Sequence, residues 1–366
     1  MDGAAAKRPT FVRRQSRLLA TSLALLVGLA WILREGGLPL LPPAGTLGHV
    51  NAWCFAGFVL GMLFHLLTRF ARCHFLIAPI APLSLRRLMA INAIGMALIT
   101  FLPLRIGEAA RPAMLRERGR LSAWAVTGTV GAERVLDGVV FSALLLLGLA
   151  FATFREPLPS HIGSLRVPAA YVPRAARIAS IVFCVAFSVM AAFYWNRDLA
   201  RRLTERWVGK VLSPALGRRV ADIVGRTSDG LGFLTNPRYS LPYLAVTVAS
   251  VVGHLWAILL LARAVGIWEL TFAQSMVVVG VLALGFGMPN APGFFGAVQL
   301  ALYAGLAVCI APEKVVHEGA VLVFLFYVTY LALVLIMAGG ALLIEYAVPQ
   351  PKMPPSAPEK QRPAPS

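Results

Sequence analysis

Residues Leu88 to Arg120 read LMAINAIGMALITFLPLRIGEAARPAMLRERGR. The run from Leu88 to Leu104 is apolar, Pro103 and Gly107 interrupt it, and five arginines from Arg105 to Arg120 then face only Glu108 and Glu117. The side of the membrane that this basic segment occupies decides the fold, because Lys and Arg of short loops stay in the cytoplasm. The tail 1–17 holds five basic residues against Asp2, the loop 69–87 holds four arginines and no acid, and 195–240 holds nine basic residues against four acidic ones. With the N-terminus inside, two crossings bring 69–87 back to the cytoplasm. A full crossing by Leu88 to Leu104 would place the next basic segment outside, and 195–240 with it. If the segment enters from the cytoplasm, breaks and returns, every strongly basic loop falls inside. The parity therefore predicts a re-entrant hairpin.

The rest of the chain is of the same kind. Its 366 residues are 58% hydrophobic and 14% charged, with a mean hydropathy of +0.74, against about 25% charged for soluble domains. Apolar runs near the span length of about 20 residues occur at Leu18 to Leu33, Leu47 to Thr68, Leu88 to Leu104, Leu121 to Phe154, Ile178 to Trp195, Leu241 to Leu261, Leu270 to Met288, Phe294 to Ile310 and Gly319 to Ile344. Between Met288 and Phe294 stand only Pro289, Asn290, Ala291, Pro292 and Gly293, too short and apolar for an aqueous loop. That pair is expected to dip in from the outside, so that the last span returns to a cytoplasmic tail. The expected fold is all-α, a polytopic membrane helical bundle of about eight helical units with two re-entrant broken-helix hairpins in inverted repeat. A basic cytoplasmic tail (1–17) precedes the transmembrane domain (18–345). That domain carries a cytoplasmic amphipathic insert (196–240) suited to an anionic leaflet, and a disordered Pro-rich tail (346–366) follows. The first span is short and follows a basic stretch; Gly28 and Ala30 form a weak small-x-small cleavage pattern, and an uncleaved helix is the reading adopted.

Several function classes drop out. The net charge of +18 sits in flanks of apolar segments rather than in a basic and aromatic stripe, which argues against nucleic acid. Cys54, Cys73, Cys184 and Cys309 are scattered without metal-ligand spacing and read as inert thiols. No HExxH, GxSxG, Walker or dinucleotide pattern occurs, so neither an enzyme nor a cofactor is expected. His65 and His254 read as satisfied packing histidines, and Gly57 with Gly61 as a GxxxG seam, internal or dimeric.

Irregular backbone at membrane depth is tolerated only where it is buried or lines a wet cavity, so the two breaks mark the expected transport site. In the first, Gly107 frees the backbone, while Arg105 and Arg111 offer guanidinium forks to an anionic headgroup with Glu108 as counter-ion; a juxtamembrane basic loop is the plainer alternative. Glu133, Arg134 and Asp137 lie in the apolar Leu121 to Phe154 run. The two carboxylates, four apart, share a helix face and are expected to pair with an arginine of the first break, as a structural network or as a proton or cation coupling site. In the second break Asn290 is placed to cap the next helix and Pro292 to start it, with Gly293 and Gly296 allowing close approach. A helix N-terminus there suits an anion; a simple kink is the alternative.

Taken in order, Pro103, Arg105, Gly107, Glu108 and Arg111, then Glu133, Arg134, Val135, Leu136 and Asp137, then Pro289, Pro292, Gly293 and Gly296 resemble the lysylphosphatidylglycerol synthase transmembrane-region family, the flippase-like integral membrane proteins. The resemblance covers roughly Leu18 to Ile344. It implies a protein of the inner (plasma) membrane, with both termini cytoplasmic, that moves an anionic phospholipid or polyprenyl-linked lipid between leaflets. The alternative is a non-transporting accessory subunit that presents a lipid substrate to a glycosyltransferase or synthase. The expected partners are membrane lipids, with a homodimer or a lipid-modifying enzyme as protein partner. Synthases of the family carry a soluble aminoacyl-transferase domain after the membrane part, whereas this sequence runs into a Pro-rich tail, so lysyl transfer is not expected. Where the family often has an acidic residue after the Pro-Gly break, this sequence has Gln299.

Overall fold

The computed structural model of the protein describes residues 23–24, 26–42, 45–102, 107–119, 121, 123–154, 172–196, 202, 206, 233, 235–287 and 291–347. The tail 1–17, Arg105, Asn290, most of the 196–240 insert and the tail from 348 onward lie outside the described residues. Helices are α1 (26–35), α2 (Ala52–Ala71), α3 (Cys73–Ile77), α4 (Leu85–Phe101), α5 (Ala110–Gly119), α6 (Ala123–Phe151), α7 (Val172–Trp195), α8 (Pro237–Ala264), α9 (Phe272–Gly287), α10 (Ala297–Cys309), α11 (Pro312–Val316) and α12 (Glu318–Ala347). Each apolar run named above overlaps one of these helices. Side-chain caps set several starts: Asn51 accepts from the Cys54 amide, Ser84 from that of Arg87 and Asn236 from that of Arg238.

Among the described residues six helices are long and apolar enough to cross a membrane, namely Ala52–Ile77, Trp124–Phe151, Val172–Val189, Pro237–Ala264, Pro292–Cys309 and Pro312–Ile344. The short helices belong to the two breaks. α4 and α9 have 17 and 16 residues, which at about 1.5 Å per residue reach about 25 and 24 Å, less than the bilayer core of about 30 Å.

Both breaks are antiparallel hairpins. Gly95 of α4 faces Arg111 of α5, and a Cβ on Gly107 would lie 2.2 Å from the Leu98 carbonyl, so the chain folds straight back on α4. In the second, Gly285 faces Ala297 and Ala301 while Gly305 faces Val278, pairing α9 with α10. The open ends of this hairpin are tied together: Lys314 Nζ meets Glu269 Oε1 at 2.6 Å, and Gln274 Nε2 donates to the Cys309 carbonyl at 3.4 Å and to the Thr153 carbonyl at 2.9 Å. The Lys314 hydrogen bond holds the Glu269 carboxyl below its ordinary range. Thr153 lies just past the end of α6, whereas α5 ends a few residues before α6 begins. The open ends of the two hairpins therefore sit at opposite ends of α6, and their tips point toward each other.

The tips converge on α12. Thr100 at the end of α4 lies 3.5 Å from Tyr330 Oη, and the Tyr330 ring is 6.5 Å from that of Phe294 in the second break. The remaining helices form the frame. α2 packs on α8 through Gly57 against Leu260 and Gly61 against Ala257, so the GxxxG seam is internal; small residues permit such close approach where lipid removes the hydrophobic drive. On α7, Ile178, Ile181, Val182, Val185 and Val189 form an exposed apolar stripe, a face suited to lipid.

Candidate functional site

A partly open cavity of about 290 Å3 lies where the two tips meet α2, α6, α8 and α12. Helical periodicity builds its walls: Met62, His65, Leu66 and Arg69 come from one face of α2, and Arg134, Asp137, Phe141 and Leu145 from one face of α6. Met96 and Ile99 of α4 enter from the first hairpin, Phe286 and Phe294 from the second. Rings line it closely. Phe286 lies edge-on to Phe294 at 5.0 Å, Tyr330 stacks on Phe326 at 6.3 Å, and Phe326 on His254 at 6.2 Å.

Backbone strain concentrates at the second break. Gly293 (φ 77°), Phe294 (φ 55°) and Gly296 (φ 81°) all adopt left-handed conformations. For Phe294, without glycine's freedom, this costs about 1–3 kcal/mol and marks a position over-determined by its surroundings. The strained turn aims the Phe294 ring at the cavity.

At the other end of the cavity an ion network joins α2, α5 and α6. Arg72 grips Asp137 with both guanidinium nitrogens, at 2.6 and 2.7 Å, and reaches Glu133 at 3.0 Å. Arg111 Nη1 meets Glu133 Oε2 at 2.6 Å, and its Nη2 donates to Cys73 Sγ at 3.2 Å. Arg69 contacts Asp137 more loosely, at 3.5 Å. The Arg72 guanidinium also lies over the Tyr243 ring, 5.5 Å from its centroid. The expected pairing of the α6 carboxylates with a first-break arginine thus occurs through Arg111.

The charges do not balance. Among the described residues Arg69, Arg72 and Arg111 pair with Glu133 and Asp137, and Arg134 stands beside them, so four guanidinium groups gather at two carboxylates with an excess of two positive charges. Arg72 and Arg111 are consumed by the carboxylates. The excess falls on Arg69 and Arg134, both on the cavity wall, and Arg134 makes no ion pair or hydrogen bond among the described residues. Arg–carboxylate forks inside a membrane are strong because water does not compete. Two guanidinium groups left over in such a place call for an anion.

The other expected site residues fall as follows. Gly107 is buried against Leu98, Glu108 is exposed at the start of the returning leg, and Arg111 serves the network rather than the cavity wall. Pro292 and Gly293 lie in the short turn Pro292–Phe294. Gly296 is the cap of α10, where its amide donates to Gln299 Oε1 at 2.8 Å and Leu29 of α1 packs on it. Gln299 therefore occupies the first amide of the helix end that was expected to be bare, and Asn290 lies outside the described residues. His65 is satisfied, with Nδ1 2.9 Å from the Ser250 carbonyl. His254 corrects the expectation: it is buried, both ring nitrogens lack a partner among the described residues, and it lines the cavity. Sequence reading counted Arg69 and Arg72 as loop charges. The spacing of Arg69 four residues after His65 is the signal that places it on the cavity face, and Arg72, three residues further along the helical register, turns to the α6 carboxylates.

Among the described residues no group of three or more His, Cys, Asp or Glu could hold a metal ion, and all four cysteines are free thiols. No curated protein and no solved structure matches the chain. Residues 17–339, most of the chain, match the family described as the lysylphosphatidylglycerol synthase TM region, and the protein belongs to that family.

Proposed function

We propose that this multi-pass membrane protein moves an anionic lipid, a phospholipid or a polyprenyl-linked lipid, between the leaflets of the plasma membrane without itself being an enzyme. The observation that carries this reading is the excess of two guanidinium groups, Arg69 and Arg134, on the wall of a cavity that is otherwise lined by apolar and aromatic side chains together with Asp137, His65, His254 and Ser142. A phosphate there would complete the charge balance that Glu133 and Asp137 leave open. At about 290 Å3, the cavity sits at the small end of ligand sites, about 300–1,000 Å3. It accommodates a headgroup and the root of a chain, not a whole two-tailed lipid.

Membership of a family named for lipid chemistry supports the reading. So does the arrangement of the hairpins, with open ends at opposite ends of α6 and the strained turn of the second break at the cavity, which suits a pair of re-entrant segments in inverted repeat with both termini cytoplasmic. In this reading the cavity opens alternately as the tips move about Tyr330.

The test is reconstitution of the purified full chain into vesicles carrying a fluorescent anionic phospholipid, with chemical quenching of the outer leaflet. Wild type should expose inner-leaflet label faster than protein-free vesicles, and the double variant Arg69→Ala, Arg134→Ala should lose that rate. Activity that appears only with a co-reconstituted lipid-modifying enzyme would favour the accessory-subunit reading instead.

A further inference from the structure

We propose that His254 selects the headgroup: the cavity takes a phosphodiester that carries a free hydroxyl, which His254 hydrogen-bonds, and refuses one that carries an amine. The inference rests on the anionic-lipid reading above and adds to it the chemistry beyond the phosphate.

His254 is 5% exposed, and neither ring nitrogen has a partner among the described residues. The ring lies between His65, tilted at 32° with centroids 4.3 Å apart, and Phe326, stacked at 6.2 Å. His65 is tied down by the backbone and hydroxyl of Ser250 at 2.9 and 3.0 Å, so its ring cannot swing round to satisfy His254. A buried polar group is ordinarily paired; one that is unpaired and on a cavity wall is waiting for something in the cavity. A neutral imidazole offers one donor and one acceptor, and a hydroxyl answers both.

The position fits such a headgroup. His65 and Arg69 stand one helical turn apart on α2, about 5–6 Å between Cβ atoms, and the His254 ring lies 4.3 Å from that of His65. The imidazole is therefore about one turn from the cationic end, the separation of a phosphate from the hydroxyls of its glycerol, inositol or sugar ester. An ammonium has three donors and no acceptor. The one carboxylate on the cavity wall, Asp137, is gripped by Arg72 at 2.6 and 2.7 Å, and Glu133 is shared by Arg72 and Arg111. No carboxylate is left to receive an amine, and Arg69 and Arg134 repel it.

The experiment measures binding of short-chain lipids to the full chain in nanodiscs: phosphatidylglycerol, phosphatidylethanol and phosphatidylethanolamine. The first two carry the same single charge and differ in the hydroxyls; the third replaces hydroxyl by amine. Wild type should bind phosphatidylglycerol about tenfold more tightly than phosphatidylethanol, equivalent to about 1.4 kcal/mol, and phosphatidylethanolamine weakest of all. His254→Ala should erase the tenfold preference while keeping phosphatidylethanol affinity, and His254→Gln, which retains a donor and an acceptor, should keep part of it. Retained phosphatidylethanol binding also certifies that the variant is folded. Equal binding of the two anionic lipids by wild type, equal loss of both in His254→Ala and His254→Gln, or phosphatidylethanolamine binding as tight as phosphatidylglycerol would each overturn the proposal while leaving the anion site standing. No binding of either anionic lipid, or competition by water-soluble glycerophosphoglycerol as strong as by the lipid, would instead overturn the lipid reading beneath it.

Discussion

Arg72 and Arg134 lie near the same two carboxylates, yet they do different work. Arg72 forms a bidentate fork with Asp137 and a third contact to Glu133, so Arg72→Ala leaves two buried carboxylates with only Arg111 and the distant Arg69. Breaking one side of a buried pair costs about 3–5 kcal/mol. The purified variant should melt well below wild type, and adding Asp137→Asn should recover part of the loss, because removing both partners is milder than removing one. Arg134→Ala should leave the melting temperature near that of wild type, within about 0.5 kcal/mol, and weaken anionic-lipid binding. A large stability loss in Arg134→Ala, or strict additivity of Arg72→Ala with Asp137→Asn, would show that the division between structural and ligand-facing arginines is wrong. The ion network is also where sequence reading ran short. Glu133 and Asp137 announce themselves as charges in an apolar run, but Arg72 sits where a helix meets a basic loop and looks like any cytoplasmic anchor. Only the tertiary fold, which brings the end of α2 within side-chain reach of α6 more than sixty residues further along the chain, turns it inward.

At the scale of elements, the first hairpin depends on one small residue. A Cβ at position 107 would sit 2.2 Å from both the carbonyl carbon and oxygen of Leu98 and 2.4 Å from the Ile99 nitrogen. Backbone cannot move aside as a flexible side chain can, so Gly107→Ala should force α5 away from α4 at a cost of about 1–3 kcal/mol. Because Arg111 rides on α5, the same change should loosen its contact with Glu133. Gly131→Ala is the control: the site is helical and has no neighbour within 4 Å, so it should be neutral or stabilise by about 0.5–1 kcal/mol. Equal melting temperatures for the two variants would mean that the hairpin is not closed as described. The helices themselves were legible in the sequence because membrane-length apolar runs are long and their breaks carry Pro and Gly. What periodicity could not supply is which break residue faces a ligand. In the second break the sequence pointed to Asn290 and a bare helix end, whereas Gln299, three residues into α10, folds back on the Gly296 amide, and the strained residue that faces the cavity is Phe294. Local turn geometry of this kind depends on contacts from α1 and α12 that the local sequence does not contain.

The whole molecule makes a topological prediction that joins the charge pattern to the geometry. The Lys314 to Glu269 contact at 2.6 Å brings the two ends of the α9–α10 pair together, so the chain leaves this hairpin at the end where it entered. α5 likewise returns along α4 from Gly107 onward. With neither hairpin counted as a crossing, α2 returns the chain to the cytoplasm, α6 leads out, α7 leads in, α8 leads out and α12 returns to the inside. Every strongly basic loop is then cytoplasmic, as the preference of Lys and Arg for short cytoplasmic loops requires. Single cysteines at Arg86 and Arg116, both exposed, should react with a membrane-impermeant thiol reagent only from the cytoplasmic face. Cysteines at Trp268 and Glu313, also exposed, should react only from the opposite face. The native thiols are first replaced by serine or alanine, since Cys184 is itself exposed. If position 116 labels from the outside while position 86 labels from the inside, α4 crosses the bilayer in full. The basic segment after it would then defy its own charge, and the paired-hairpin architecture would have to be abandoned, whatever lipid the cavity holds.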